Sequence, residues 1–431
     1  MAINTAKSVA KSTLYICYFG LREPLVQTQV IPYLREIIKD DIDVSLLTFE
    51  PDLGSKWTQG QLDSAREELA GKGIRWFTLP YHKRPSAIAT IYDVLVGTHT
   101  VRKLISKENV DILHARVHVP GLMAVLARKF SSRKPKILFD IRGFFPEEYT
   151  DAGIWPENGK LFRAVKRVEK WIMNEADGFV VLTENAREIL FPQSKETGFD
   201  HIGRPVEVIP CCVDLPERFP ETVMATRAEM RKTLGIGDRR VLTHLGALGG
   251  LYLSEEIADL LEAARIVDPS TFALFLTQSD PETIVPLLLA RGFAENDFFV
   301  GRVAPREVGK YLSAADAGLS FVKATYSTAS RSPTKIPEYL ACGLPVIANR
   351  GVGDVDSLIL EEGVGVLVDG FSRESYFKAL EDLSGLGEIG AKCRRVAAAR
   401  FDLETVGGPR YRRMYKRLLR NIDAAEAISL S

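Results

Sequence analysis

The residues best suited to chemistry lie in the segment 330–352, SRSPTKIPEYLACGLPVIANRGV. An apolar strand pattern ends just before it, and a helix is predicted to begin near Pro333, since proline is favoured in a first turn. Ser332 or Thr334 could cap that helix. The amides and dipole of a helix start, together with the charge of Lys335, make a site for an anion. We therefore expect a diphosphate to bind there.

Two further charged residues belong to this segment. Glu338 lies about one turn after Lys335, where a carboxylate could accept hydrogen bonds from the two hydroxyls of a ribose. Arg331 is a second cation beside the predicted anion site. The alternative is that Lys335 and Glu338 form only a surface pair, three residues apart on a helix. The strand, loop, helix and strand of the whole segment favour a binding site.

A glycine-rich loop, Gly246-Ala-Leu-Gly249-Gly250, follows a strand predicted at 241–244. Glycine lets backbone amides approach a phosphate closely, so Gly246 and Gly249 are candidates for the same anion site. A turn that needs positive φ explains the loop equally well. Because its spacing differs from the dinucleotide fingerprint G-x-G-x-x-G, a nicotinamide oxidoreductase is disfavoured.

The first predicted strand of the N-terminal half ends in a short polar loop. Gly20 permits the tight turn that opens a cleft. Arg22 and Glu23 could contact an acceptor or the phosphates of a donor. An exposed pair of loop residues is the alternative.

Other polar residues follow two later strands of the same half. His114 and Arg116 end one strand, where we expect them to face the cleft. Arg142 follows the next; a guanidinium cannot act as a base at neutral pH, but it can bind phosphate or stabilise developing charge. Glu148 could take a proton from an acceptor hydroxyl. For Glu147 and Glu148 a solvated loop is the alternative.

These candidate residues can form one site only if the fold brings the ends of their strands together. A chain of 431 residues is long enough for two domains. Short apolar strands alternate with helices twice along it, which predicts an α/β protein with two doubly wound, Rossmann-like parallel sheets facing across a cleft. The predicted N-terminal domain is 1–216 and the C-terminal domain is 217–400, with a linker near 210–220. Strands are predicted at 13–19, 43–49, 74–79, 111–114, 136–140, 178–182, 206–209, 241–244, 272–276, 298–300, 317–321, 345–348 and 364–368, with helices such as 85–107, 255–267, 305–315 and 336–341 between them.

Composition limits the classes of partner. The chain has 56 Lys plus Arg and 56 Asp plus Glu, so no overall field attracts nucleic acid, and none is expected as a partner. Five cysteines without a CxxC pair and six histidines predict no metal site and a cytoplasmic location. No apolar run is long enough to cross a bilayer. The basic stretch at 160–171 could lie on the inner face of a membrane, although a solvated charged face is the commoner explanation.

The segment from Ser332 to Ile347, S-P-T-K-x-x-E-Y-L-A-C-G-L-P-V-I, resembles the C-terminal signature of the GT-B-fold retaining glycosyltransferases of family 4. Four stretches, 111–116, 139–148, 176–183 and 208–214, resemble other elements of that family. The resemblance implies transfer of a sugar from a nucleotide-diphosphate sugar to an acceptor hydroxyl, with retention and without a cofactor or required metal. It also implies that Glu338 binds the ribose and that the last helix, 401–431, packs back on the N-terminal domain.

Two departures from the family pattern leave alternatives open. The family has two glutamates in the pattern E-x7-E, but Ser330 takes the first position, where the glutamate contacts the donor sugar. The loop at Gly246 lacks the cations that relatives carry there, and Lys335 or Arg331 could substitute. One alternative is a nucleotide-binding or scaffold protein with weakened activity, and another is a nucleotide-sugar 2-epimerase. The sugar, the base, the acceptor and the oligomeric state are left open, with glycans, glycolipids and small-molecule glycosides all compatible products.

Overall fold

The computed structural model describes residues 11–84 and 86–429. The predicted domain ends 1–10 and 430–431 and the predicted helix start Pro85 lie outside the described residues. Within them the chain forms two parallel sheets, of seven and six strands, covered by helices. The predicted two-sheet α/β class is therefore confirmed.

The N-terminal sheet has the strand order β3-β2-β1-β4-β5-β6-β7. Its strands carry Val, Ile, Leu and Phe on both faces because helices cover both, as parallel sheets require. The strands are β1 Lys11–Cys17, β2 Ile42–Pro51, β3 Ile74–Tyr81, β4 Ile112–Arg116, β5 Lys136–Ile141, β6 Gly178–Val181 and β7 Val206–Val208.

The C-terminal sheet has the order β10-β9-β8-β11-β12-β13, so β8 and β11 are its central neighbours. Their carboxyl ends meet at the edge where open α/β sheets bind ligands. The strands are β8 Val241–Leu245, β9 Phe272–Leu276, β10 Phe298–Gly301, β11 Ala317–Ser320, β12 Val346–Asn349 and β13 Gly365–Val368.

Helices connect the strands in both domains. The N-terminal half contains α1 Pro24–Gln29, α2 Ile31–Ile38, α3 Leu53–Lys56, α4 Gln59–Gly71, α5 Ser86–Lys107, α6 His118–Lys129, α7 Phe145–Asp151, α8 Lys160–Glu175, α9 Glu184–Leu190 and α10 Ser194–Thr197. The remainder contains α11 Leu215–Arg218, α12 Glu221–Ala225, α13 Arg227–Thr233, α14 Ser254–Val267, α15 Val285–Ala290, α16 Val308–Ser313, α17 Lys335–Ala341, α18 Val355–Glu362, α19 Arg373–Gly385, α20 Gly390–Phe401 and α21 Gly408–Ser429.

The chain enters the C-terminal domain and leaves it at one place. Val213 and Asp402 pair in parallel, between the linker and the start of the return segment. Helix α21 then lies on the N-terminal domain, where Tyr411, Tyr415 and Leu418 are buried in the same cluster as Tyr15. A hinge at this crossing would move the C-terminal sheet relative to the N-terminal sheet and α21. No helix among the described residues is long and apolar enough to cross a bilayer.

Candidate active site

Helix α17 begins at Lys335, at the carboxyl ends of β8 and β11. Tyr339 fixes this helix: its hydroxyl accepts a hydrogen bond from the Leu245 amide (2.7 Å) and donates one to the Leu319 carbonyl (3.1 Å). Since these two residues belong to β8 and β11, the start of α17 is tied to both strands.

Lys335 is a buried cation at this point. Its side chain points toward the glycine-rich loop: Nζ lies 3.5 Å from His244 Nε2 and 4.8 Å from the centre of the Tyr252 ring. Lys335 is only 5% exposed, and among the described residues no carboxylate lies within salt-bridge distance of it. Burial, followed by the charge of Arg331, lowers the pKa of Lys335 to about 7. A buried cation without an anionic partner is costly, and a bound anion would offset that cost.

His244 limits the space around this ammonium. Its Nε2 lies 3.1 Å from the Ala247 carbonyl, to which it donates, and its Nδ1 has no partner. Burial, together with the charge of Lys335, lowers the pKa of His244 well below its ordinary value. The imidazole is therefore neutral, and Lys335, which is protonated below its pKa of about 7, is the cationic member of the pair.

Two glycines of the loop, Gly246 and Gly249, use their amides in hydrogen bonds within the domain. Gly246 has φ of +105° and donates its amide to the Leu276 carbonyl, and Gly249 donates its amide to Ser254 Oγ. The prediction that these two amides bind phosphate is therefore wrong. The loop instead shapes the wall beside Lys335, because a β-carbon at Gly246 would lie 3.7 Å from Lys335 Cε.

Glu338 does not form a surface pair with Lys335. It forms a buried ion pair through Oε1 with Arg218, which comes from α11 in the linker. The two side chains are 9% and 11% exposed. The predicted contact of Glu338 with a ribose stays a prediction, and its Oε2 remains to accept a ligand hydroxyl.

Neither predicted cap residue caps α17. Thr334 occupies the N-cap position with right-handed helical angles and no side-chain hydrogen bond. Ser332 accepts a hydrogen bond at Oγ from the amide of Cys211 in the linker (3.0 Å). The helix has seven residues. Its dipole is correspondingly small, so the charge of Lys335 is the main attraction for an anion.

Ser330, at the position of the missing glutamate, binds the opposite domain. Its hydroxyl accepts a hydrogen bond from the Phe144 amide (3.1 Å) and donates one to the Ser327 carbonyl (2.7 Å). Two neighbouring hydrogen bonds also join the domains at this seam, the contact between the loop before α17 and the N-terminal domain. The Ser327 amide donates to Asp151, and the Thr183 hydroxyl donates to the Ala329 carbonyl. The loop before α17 thus joins the two domains in a closed arrangement.

Removing this contact gives a test of closure. Ser330→Ala is expected to lower stability by about 1 kcal/mol, because the buried Phe144 amide loses its partner. It should also enlarge the particle in small-angle X-ray scattering, since one bond across the seam is gone. Ser357→Ala, in an exposed turn of α18, serves as the control. An unchanged scattering profile for Ser330→Ala would show that the serine does not hold the domains together.

Glu148 and Arg331 face each other across the cleft. Arg331 Nε lies 3.6 Å from Glu148 Oε1. Burial raises the pKa of Glu148, and the charge of Arg331 opposes that rise. Both glutamates belong to α7, and Glu147 pairs with Lys166 (2.9 Å). The solvated-loop alternative is therefore wrong, and Glu148 is a partly buried carboxylate with a raised pKa beside Arg331 of the C-terminal domain.

The prediction that His114 faces the cleft is wrong. The side chain is fully buried, with Nδ1 2.9 Å from the Tyr415 hydroxyl and Nε2 3.5 Å from Asp140 Oδ2. Burial lowers the pKa of His114. The reason is that α21 covers this end of β4 with Tyr411 and Tyr415. His114 therefore supports Asp140 and does not touch a substrate.

Two arginines share the single carboxylate of Asp140. Arg116 Nη1 lies 3.8 Å from Oδ2, and Arg142 Nη1 lies 3.6 Å from Oδ1. Tyr411 also donates a hydrogen bond to Oδ2 (2.9 Å). Arg142 also contacts Cys211 Sγ (3.6 Å). The backbone amide of the same Cys211 donates the hydrogen bond to Ser332. The cluster has an excess of one positive charge, and Arg142 lies between it and the loop that precedes α17.

The structure does not bring the first-loop residues to these cations. Gly20 packs tightly, since a β-carbon would lie 2.7 Å from Pro51 Cδ. Arg22 stacks on Trp57 at 3.7 Å and donates to the Lys56 carbonyl. Glu23 is exposed at the N-cap of α1 and makes no side-chain capping bond. Their predicted contacts with an acceptor stay predictions.

Sequence reasoning missed several residues of the site. Arg218 is separated from Glu338 by 120 positions, and no local pattern announces their pairing. Tyr252 lies under Lys335 because it pairs with Val322 at the end of β11. One local pattern could have indicated the cover over β4. Tyr411 and Tyr415 are four residues apart in the last helix, so both hydroxyls lie on one face of it.

A cavity of about 340 Å³ opens on the other face of α17. It is lined by residues such as Arg331, Ile336, Pro337 and Leu358, and Lys335 and Glu338 are not among its lining residues. No group of three or more His, Cys, Asp or Glu within the described part of the chain could hold a metal ion.

Comparison with known proteins agrees with this geometry. Glycosyltransferase Family 4 matches residues 26–217, and Glycosyl transferases group 1 matches residues 240–385. No curated protein matches the chain in sequence.

The solved structures that share the fold include the following three. Sucrose-phosphate synthase from Thermosynechococcus elongatus superposes with a TM-score of 0.68 at 16% identity, over 96% of this chain and 100% of that one. HepE from Anabaena, in complex with UDP and glucose, gives 0.62 at 16% identity, over 96% and 100%. A UDP-N-acetylglucosamine 2-epimerase gives 0.57 at 12% identity, over 96% and 98%.

Two facing parallel-sheet domains with a cleft between them, together with the two sequence matches, define a glycosyltransferase of the GT-B architecture. The chain belongs to the glycosyltransferases in which the N-terminal half matches Glycosyltransferase Family 4 and the C-terminal half matches Glycosyl transferases group 1.

Proposed function

We propose that the chain transfers a sugar from a nucleotide-diphosphate sugar to an acceptor hydroxyl, with retention of the anomeric configuration. The observation that carries the proposal is the buried ammonium of Lys335, which has no carboxylate partner within the described residues. Arg331 is a second cation beside it, because the charged groups of Lys335 and Arg331 lie 4.8 and 5.9 Å from the centre of the same Tyr252 ring. A diphosphate supplies the anion that both groups require. The fold neighbour solved with UDP and glucose supports a nucleotide donor.

The nucleoside lies next to Glu338 in this proposal. Arg218 binds Oε1 of the carboxylate, which leaves Oε2 to accept hydrogen bonds from the ribose hydroxyls. Arg218 also fixes the orientation of the carboxylate before the ligand arrives. Such preorganisation reduces the entropy that binding must overcome.

The reaction breaks the bond between the sugar C1 and the β-phosphate oxygen and forms a bond from C1 to the acceptor oxygen. Lys335 and Arg331 stabilise the charge that builds on the departing diphosphate. Glu148 accepts the acceptor's proton, and its raised pKa makes it a stronger base than an ordinary carboxylate. Arg142, at the opposite wall, stabilises negative charge but does not transfer a proton.

We also propose that the reaction needs no metal ion, because Lys335 and Arg331 neutralise the negative charge of the diphosphate. Activity should therefore survive chelation with EDTA. Loss of activity in EDTA and its return with Mg²⁺ would contradict this part of the proposal.

The experiment that tests the function is a thermal-shift screen of nucleoside diphosphates and nucleotide sugars, followed by product analysis. A ligand that binds only the folded state stabilises it by mass action, by about 2.7 kcal/mol at a hundredfold excess over Kd, and thereby raises the melting temperature. We expect one base and one sugar to stand out.

The products then separate the proposed reaction from its alternatives. Transfer to an added acceptor, with an α-linked product from an α-linked donor, is the expected result. Release of an epimerised free sugar without acceptor would identify a 2-epimerase. Binding without turnover would indicate a nucleotide-binding or scaffold role.

A further inference from the structure

The N-terminal half of α5 exposes a stripe of large apolar side chains. Ile88, Ile91, Tyr92 and Leu95 are 68%, 61%, 54% and 61% exposed. Their spacing of three, one and three residues places them on one face of the helix. We call these four residues the α5 stripe.

The helix already has a buried apolar face on its other side. Val94, Val101 and Ile105 lie in the core of the N-terminal domain. A helix that is apolar on both sides is normally covered on both sides. Because the core of the domain covers only the inner face of α5, the exposed stripe is left for another contact. Adjacent exposed apolar groups, unlike single ones, mark contact surfaces.

The charges around the stripe indicate its partner. Lys83 and Arg84 precede the helix, and Arg102 and Lys103 follow the stripe; all four are exposed and form no ion pair within the described residues. The one acid of α5, Asp93, is buried and bound to Tyr18 and His82. Within the described residues, the outward face of α5 thus carries apolar side chains, a tyrosine and cations, and no acid.

The stripe lies at the mouth of the cleft. Tyr18 directly follows β1, so its hydrogen bond to Asp93 (2.7 Å) holds the first turns of α5 at the carboxyl edge of the sheet. Phe19, the next residue, is also exposed. The acceptor side of the cleft therefore opens beside the stripe.

We infer that the α5 stripe and its flanking cations dock the N-terminal domain on an anionic lipid bilayer, with the cleft beside the membrane. Apolar side chains enter the boundary between headgroups and acyl chains, tyrosine lies at that level, and the cations bind lipid phosphates. Membrane docking depends only on the α5 stripe and its flanking cations. The delivery of a lipid-carried acceptor to the cleft, which docking would allow, rests on the proposed transferase function.

This surface differs from the basic stretch predicted at 160–171. In that helix, α8, Lys166 is paired with Glu147 and Glu169, and one large apolar residue, Leu161, is exposed. Helix α8 thus offers cations without a row of inserting side chains. The apolar stripe makes α5 the stronger membrane surface.

Vesicle flotation of the full chain tests the inference without using donor or turnover. The protein is expected to float with vesicles of mixed phosphatidylglycerol and phosphatidylcholine, less with phosphatidylcholine alone, and less at high salt. Ile91→Asp/Leu95→Asp should lower binding by about tenfold or more, because two inserting side chains are lost. The control is Ile266→Asp/Leu360→Asp, which changes two apolar residues of the C-terminal domain that are 52% and 66% exposed, and it should float like the unchanged chain.

Two results would overturn the inference. One is equal flotation of the stripe variant and its control. The other is that the unchanged chain does not float and self-associates, whereas the stripe variant is a monomer. The stripe would then be an interface between copies of the chain. Melting temperatures of both variants confirm folding, and thermal shift with nucleotides reports the donor site separately.

Discussion

Replacing Lys335 with methionine is expected to abolish measurable binding of nucleoside diphosphates and to raise the stability of the unliganded protein. Both effects have one cause: the ammonium is buried without a carboxylate partner, so it destabilises the empty site and binds the anion strongly. Methionine fills nearly the same volume without the charge. Calorimetric titration and thermal melts measure the two effects, with an expected rise of Tm on the order of 2 °C.

The stability difference between the two proteins should depend on pH. The pKa of Lys335 is about 7 in the folded chain and 10.5 ordinarily. Between these values the unfolded chain binds more protons, so rising pH favours the folded state of the unchanged protein. The advantage of Lys335→Met is therefore full below about pH 7 and shrinks toward pH 10.5, as denaturant melts at several pH values would show.

A surface lysine provides the control. Lys310 is exposed and paired with Glu307, so Lys310→Met should change neither nucleotide binding nor its pH dependence. If Lys335→Met binds nucleotide as tightly as the unchanged chain, Lys335 has no part in the donor site. If it melts lower at every pH, the ammonium is not the strained group that its surroundings indicate.

Replacing Asp140 with asparagine is expected to cause the largest loss of stability, on the order of 3–5 kcal/mol. Asp140 is the one carboxylate between Arg116 and Arg142, and all three side chains are buried. Asparagine keeps the size but removes the charge, so two buried guanidinium groups face each other unpaired. Chemical denaturation measures the loss.

Acid should have the same effect on the unchanged chain. Burial alone would raise the pKa of Asp140, but Arg142, His114 and Arg116 outweigh it and hold the pKa at about 2. A carboxylate with a lowered pKa stabilises the fold above its ordinary value of 3.8, and this contribution is lost as pH falls toward 2. The acid-induced loss of stability should therefore be smaller in Asp140→Asn.

A second substitution separates charge from packing. Arg116→Met combined with Asp140→Asn removes one of the two cations that Asp140→Asn leaves without a counter-charge, and should restore part of the lost stability. Asp177→Asn, in a partly exposed pair with Arg128 and Lys136, should cost much less. If the double variant is no more stable than Asp140→Asn alone, the arginines do not repel each other as the geometry indicates.

Much of the fold was predictable because parallel strands buried on both faces leave a plain pattern of short apolar runs. The strand β2 extends to Pro51, past the predicted 43–49, because it continues to pair with β3 up to Tyr81. The helix predicted at 305–315 is shorter, Val308–Ser313. Pairing and turns decide such ends, and neither is visible in apolar periodicity.

The site was predictable only where its residues share one segment. Lys335, Glu338 and Arg331 lie within one strand–loop–helix unit, and the structure brings Lys335 and Arg331 over the same ring, that of Tyr252. The Arg218–Glu338 pair and the cover of His114 by Tyr415 join residues 120 and 301 positions apart. Such contacts depend on how the two sheets and α21 pack, which local sequence does not encode.

A crystal structure of the chain with a nucleoside diphosphate is the decisive test of the donor site. We expect the β-phosphate to lie within hydrogen-bonding distance of Lys335 Nζ, with the ribose hydroxyls on the carboxylate of Glu338. A nucleotide seated instead in the cavity beside Ile336 and Leu358, on the far face of α17, would contradict this expectation.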